Sequence, residues 1–234
     1  MENLEMKTAL TPPARTAKEN YFTAGTIEAA AKAMAAELPV NRRAAAFSPV
    51  DSALLIIDMQ RYFLRDGSHA YIPAATAIMA NINALIAVHK KAARPVFFTR
   101  HGNDDRDGGQ MAAWWGELLR HGHPQSDLEP RLDHAGQPVI EKTQYDAFFN
   151  TDLEARLRQW RTKQLLITGV ATHLCCESTA RSAFTRGFAV FMAIDGTATW
   201  NRELHFASLR GLAHGCAVPL LTHDLLAAFG EPPC

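Results

Sequence analysis

From residue 53 onward the chain alternates between two patterns. Uninterrupted apolar runs recur at Ala53–Asp58, Pro95–Thr99, Leu165–Thr168, Ala189–Ile194 and Ala217–Thr222, with a shorter one at Val139–Lys142. Between them, apolar residues return every three or four positions, as Ile78, Ile82, Leu85 and Ile86 do, with His89 in phase. A run without polar alternation suits a strand buried on both faces, and the three-to-four spacing suits one face of a helix. Helices are thus predicted at Leu153–Trp160, Cys175–Arg186, Asn201–His214 and Asp224–Phe229. Strand and helix in strict turn build a parallel sheet covered by helices on both sides.

The flanking segments read differently. Thr26–Leu38 is rich in Ala and Glu and predicts a helix, while Asn41-Arg42-Arg43 and Pro49 break the chain after it. Residues 1–46 are therefore expected to form an N-terminal arm with a short helix, and residues 47–234 a single domain. Residues 101–136 show no period, are rich in Gly, His and Asp, and contain Trp114-Trp115. A long aperiodic insertion in a compact domain is more often a working loop than a spacer.

Composition narrows the partners. The chain has 234 residues, 47% of them apolar, which is ample for a core. Lys plus Arg equals Asp plus Glu at 24 each, so there is no basic surface for nucleic acid or an anionic membrane. No apolar stretch is long enough to span a bilayer. The start, Met1 to Met6, lacks the basic and apolar blocks of a signal peptide. The cysteines Cys175, Cys176, Cys216 and Cys234 make a poor disulfide framework and no zinc spacing. Cytoplasmic localisation and a small-molecule substrate are expected.

Three strand ends carry the chemistry. The first strand ends at Asp58, the short one at Lys142, and the run Leu165–Thr168 leads through Gly169 to Cys175. In a parallel sheet these ends lie on one side, where ligands bind. A carboxylate near a thiol can take its proton, and an ammonium beside them stabilises the thiolate. A helix start after Cys175 is expected to lower its pKa. Helical phase separates the two adjacent thiols. Cys176 shares a small, mostly apolar face with Ala180, Ala183, Phe184 and Gly187, whereas Cys175 turns toward the cleft.

These residues resemble a known family. Asp58-Met59-Gln60-x-x-Phe63, Lys142-x-x-Tyr145-Asp146-Ala147-Phe148 and Gly169-Val170-Ala171-Thr172-x-x-Cys175-x-x-Ser178-Thr179-Ala180 are similar to the motifs of isochorismatase-like cysteine hydrolases. The resemblance runs from about residue 52 to 229. It implies a three-layer α/β/α, Rossmann-like fold on a six-stranded, mostly parallel sheet. It implies an Asp58–Lys142–Cys175 triad that cleaves C–N bonds other than peptide bonds through a thioester: Asp58 the base, Lys142 the electrostatic partner, Cys175 the nucleophile. It also implies a cis Val170–Ala171 peptide, an oxyanion hole at Ala171 and Cys175, and a homo-oligomer, dimer or tetramer.

The departures sharpen the expectation. True isochorismatases, which cleave a vinyl ether, resemble the chain around Trp115-Gly116 and Gly169–Thr172 but carry glycine in place of Cys175. Nicotinamidase-like members hold a metal through Asp-x-His after the second strand. Here that segment reads His101-Gly102-Asn103, so no metal and no cofactor is expected. The main expectation is a hydrolase of small amides, carbamoyl compounds or ureides. The alternatives are vinyl-ether cleavage with Asp58 as acid, and an inactive binding or scaffold protein on the same fold. Candidate substrate contacts are Gln60, Phe63, His101, Arg106, Trp115, Tyr145, Phe148 and Thr172. For several a plainer reading stands beside this one: Gln60 satisfying backbone groups, Tyr145 and Phe148 as core, and Arg106 as an exposed loop residue. His173 reads as a hydrogen-bonding support, Trp200 as packing at the cleft rim or a subunit contact, and Cys216 as core.

Overall fold

A computed structural model of the chain describes residues 17–41 and 44–231; Cys234 and most of the arm's leading segment lie outside that range. Six strands form one sheet: β1 (Ser52–Ile57), β2 (Val96–His101), β3 (Val139–Lys142), β4 (Gln164–Val170), β5 (Ala189–Ala198) and β6 (Ala217–Leu220). Their order is β3-β2-β1-β4-β5-β6, and every pairing is parallel. The strand order reverses between β1 and β4, which opens a crevice at their carboxyl ends. The apolar runs explain the centre of the sheet: Ala53 to Ile57 in β1 and Leu165 to Ile167 in β4 are fully buried.

Helices α1 (Ile27–Glu37), α2 (Arg61–Leu64), α3 (Met79–Lys91), α4 (Met111–Trp115), α5 (Leu153–Gln159), α6 (Glu177–Thr185), α7 (Arg202–Gly215) and α8 (Thr222–Ala228) complete the described residues. Most match their predicted spans within two residues. α2 and α4 are too short to show a period, and α4 lies inside the segment read as aperiodic. The predicted helix from Cys175 starts instead at Glu177, after a π-helical turn over Thr172–Cys176. β5 runs four residues past its predicted end. Asp195-Gly196-Thr197 interrupt the apolar run, but Asp195 is tied down by Thr222, whose backbone N–H and hydroxyl both donate to its Oδ1 at 2.8 and 2.7 Å.

Residues 17–41, part of the segment read as an arm, pack onto the sheet. Phe22 and Ala31 are fully buried and Met34 nearly so, all in the main core. The stretch before α1 also bonds the loop after β5: Glu19 N–H donates to Trp200 O at 2.7 Å, and Thr199 N–H to the Tyr21 hydroxyl at 3.0 Å. At the end of β4, Gly169 adopts φ +104°, and a Cβ there would stand 2.1 Å from Ile57 O. Only glycine lets β4 run this close to β1 before the chain turns into the site. The peptide between Val170 and Ala171 is cis.

Candidate active site

The reversal of strand order brings three sequence-distant side chains together. Lys142, the last residue of β3, lies with its Nζ 2.7 Å from Asp58 Oδ2, and both side chains are fully buried. The same Nζ donates to Cys175 Sγ at 3.4 Å and to Gln144 O at 2.9 Å. Asp58 follows β1 with φ +47°, a left-handed conformation that Asp tolerates better than most residues. Thr99 of β2 fixes that turn from both sides. Asp58 N–H donates to Thr99 Oγ1 at 3.0 Å, and the Thr99 hydroxyl donates to Asp58 Oδ1 at 2.5 Å. Asp58 Oδ2 contacts the ammonium but accepts no well-aligned hydrogen bond, so it keeps a lone pair for a proton. The charge of this carboxylate bears on the Cys175 thiol and opposes its ionisation.

Electrostatics differ here from the sequence expectation. Burial pushes the Cys175 thiol up to about 12, against the pull of Lys142. The expected lowering by a helix start loses to desolvation, since Cys175 is 7% exposed and α6 begins only at Glu177. The resting group is a thiol with a carboxylate beside it. Burial would lower Lys142, yet Asp58 and Cys175 more than offset it, so its pKa is raised and the ammonium stays charged. Cys176 is fully buried; its face continues through Ala180 and Ala183, but Phe184 is half exposed and does not belong to it.

Cys175 opens into a cavity with about 610 Å³ of empty space, its open mouth included. Ala171 and Leu174 flank the sulfur, and the walls are aromatic: Tyr62, Phe63, Trp115, Tyr145 and Trp200. Trp115 Nε1–H donates to the Tyr145 hydroxyl at 2.7 Å, and the Trp115 and Trp200 rings meet edge to face at 5.4 Å. His101 and Asn103 line the same space. Burial holds the His101 imidazole down at about 4, so it is neutral near pH 7, and its Nδ1 has no well-formed hydrogen bond.

Of the expected substrate contacts, Phe63, His101, Trp115 and Tyr145 border this cavity, as do Ala171 and Cys175. The other four do not. Gln60 is fully buried and clamps backbone: its amide donates to His101 O and Ser126 O, both at 2.8 Å, and accepts from His101 N–H. Arg106 is 90% exposed and pairs with Asp104. Phe148 packs in the core against Phe188, under the Arg186 guanidinium. Thr172 is fully buried and hydrogen-bonds to His205 Nδ1 at 2.8 Å. Residues not anticipated are Tyr62, His69, Asn103 and Glu117. Asn103 stands two places beyond His101 at a strand end, and that position is the signal that could have found it. Trp200 does sit at the cleft rim, and His173 bonds the Thr199 hydroxyl at 2.6 Å as a support.

A metal does not fit this site. Among the described residues no three His, Cys, Asp or Glu side chains converge on a common point. After β2 the chain offers one imidazole and one amide, and no group of three His, Cys or carboxylate donors is completed there.

Known proteins resemble this chain in sequence and in fold. Nicotinamidase 3 of Arabidopsis thaliana is 39% identical over 173 residues, covering 71% of this chain and 82% of that protein. Ureidoacrylate amidohydrolase RutB of Serratia proteamaculans is 32% identical over 185 residues, covering 68% and 75%. A crystal structure of a cysteine hydrolase from Pseudomonas syringae pv. phaseolicola shares the fold, with a TM-score of 0.76 at 22% identity, covering 82% of this chain and 97% of that one. No described helix is long and apolar enough to cross a membrane. The isochorismatase domain model matches residues 52–224, from the first residue of β1 into α8 and so across Asp58, Lys142 and Cys175; the chain belongs to the isochorismatase family of hydrolases.

Proposed function

We propose that this protein hydrolyses a C–N bond of a small carboxamide, carbamoyl compound or ureide through a thioester on Cys175. The observation that carries the reading is the buried Asp58–Lys142–Cys175 cluster opening into one cavity. Nicotinamidase 3 and RutB are amide-cleaving enzymes by name, which supports the same bond class.

The chemistry follows from the resting state. Asp58 takes the thiol proton as Sγ bonds to the carbonyl carbon, and Lys142 balances the charge that forms. This coupling is needed because a thiol near 12 is almost wholly protonated at neutral pH. The N–H groups of Ala171 and Cys175 hold the tetrahedral oxyanion, typically a large contribution in acyl transfer. Asp58 returns the proton to the departing nitrogen, and the C–N bond breaks. Water, deprotonated by Asp58, then attacks the thioester. The acid leaves and the thiol recovers its proton. We propose further that the enzyme is cytoplasmic, where free Cys175, Cys176 and Cys216 stay reduced, and that it assembles as a homo-oligomer.

The test is ammonia release from a panel of amides, carbamoyl compounds and ureides, by the parent and by Cys175→Ala. Release that disappears in the variant, with an acyl adduct on Cys175 trapped by acid quench and seen by mass spectrometry, supports the reading. The family's name keeps vinyl-ether cleavage as a second reading. Turnover of isochorismate that survives Cys175→Ala would replace the thioester route with acid catalysis by Asp58.

A further inference from the structure

We propose that the cavity selects amides whose non-reacting part carries no negative charge, and that Glu117, held by Tyr62 and His69, is the residue that turns carboxylates away. The inference rests on the amide-hydrolase reading above and adds to it the charge of the substrate. Among the described residues, the cavity lining contains no lysine or arginine. The Lys142 ammonium is close by but sealed behind Cys175, fully buried and engaged by Asp58 and Gln144 O. The nearby cations are engaged elsewhere: Arg106 pairs with Asp104, Arg120 with Asp105, and Lys18 donates to His69 O. A carboxylate entering among Phe63, Trp115 and Trp200 would leave water without gaining a cationic partner, which costs free energy.

The one carboxylate in the lining makes that worse. Glu117 side-chain exposure is 53%, which puts it at the mouth. The Tyr62 hydroxyl donates to Glu117 Oε1, and His69 Nδ1 lies 2.7 Å from the same oxygen. Both interactions fall on Oε1. The Tyr62 and His69 bonds also hold the Glu117 pKa below its ordinary value, so the group is ionised at neutral pH. His69 is further fixed by stacking on Trp115, 6.0 Å between ring centres. The arrangement pins a negative charge over the entrance, where a like charge is repelled and a neutral or cationic ring is not.

Two isosteric ligands test this: benzene-1,3-dicarboxamide, which is neutral, and 3-carbamoylbenzoate, which differs by one carboxylate. Binding is followed by fluorescence of the cavity tryptophans in Cys175→Ala, so turnover does not interfere. The expected result is tighter binding of the diamide, with the ratio of the two Kd values falling about tenfold when Glu117→Gln is added. Glutamine still accepts from Tyr62 and His69, so a supporting role alone would leave that ratio unmoved. The ratio should also shrink as salt rises in Glu117-containing protein and stay flat in the Gln variant. Equal affinity for the two ligands, or a ratio unchanged by Glu117→Gln, would overturn the charge filter while leaving amide hydrolysis intact. If neither ligand perturbs the fluorescence, the filter falls. If ammonia release is then also absent across the whole panel, the amide-hydrolase reading falls with it.

Discussion

The two halves of the site are built on opposite plans. Asp58, Lys142 and Cys175 sit at strand ends, buried, each tied by ion pair or hydrogen bond to another part of the sheet. The cavity wall instead collects side chains from loops and short helices: Tyr62 and Phe63 of α2, Trp115 of α4, Glu117, and Trp200 after β5. The first half holds three polar groups in one mutual geometry, as proton transfer between them requires. The second half needs only to present a shape and a charge. The bond that is broken and the molecule that is accepted are thus set by parts of the structure with different tolerance to change.

Substitutions can break or sharpen that contrast. Asp58→Asn removes the proposed base and leaves the shape. Amide hydrolysis should fall on the order of a thousandfold in kcat, measured by ammonia release, with substrate affinity little altered. Lys142→Met leaves the Asp58 carboxylate buried without its counter-charge. It should cost roughly 3–5 kcal/mol, read from urea unfolding. Stability close to that of the parent would mean that water reaches Asp58.

The thiol offers a test by pH. A group raised to about 12 is neutral below that value, so its thiolate fraction climbs tenfold per unit as pH rises. Iodoacetamide labelling of Cys175 in the free enzyme should increase from pH 7 to pH 10 without a plateau. A plateau near neutrality would show that a thiolate exists before substrate binds.

Changes in the wall should be smaller. Trp115→Phe keeps an aromatic ring but loses the bond to the Tyr145 hydroxyl, and should weaken ligand binding by about 1 kcal/mol in a titration. Arg106→Ala should alter stability by less than about 0.5 kcal/mol and leave kcat/KM unchanged, because the side chain faces solvent. A larger effect of Arg106→Ala than of Trp115→Phe would move the wall to the other side of the loop.

The sequence carries these halves unequally. Strands buried on both faces are written as continuous apolar runs, and that pattern by itself assigns the residues that close β1, β3 and β4 to one edge of the sheet. The wall has no such signature. Tyr62, His69 and Glu117 meet only because α2 and the loop after β2 fold over the same edge, and long-range proximity of that kind leaves no period in the chain. Gln60 and Thr172 sit beside motif residues, yet their side chains satisfy buried backbone and imidazole groups instead of facing ligand. Phe148 likewise turns to the core. Trp200 carries a usable clue: with β5 continuing through Asp195-Gly196-Thr197, the residue just after it lies on the same edge as Asp58 and Cys175.

Some of the bonds that hold the loop at Trp200 come from outside the family-matched span, beside those from Ala70, Trp115 and His173 within it. Glu19, Tyr21 and Ala17 bind the loop at Thr199 to Arg202, whereas the match to the family begins at residue 52. A substitution at Glu19 or Tyr21 can therefore reach the cavity wall through Thr199 and Trp200 while leaving Asp58, Lys142 and Cys175 untouched.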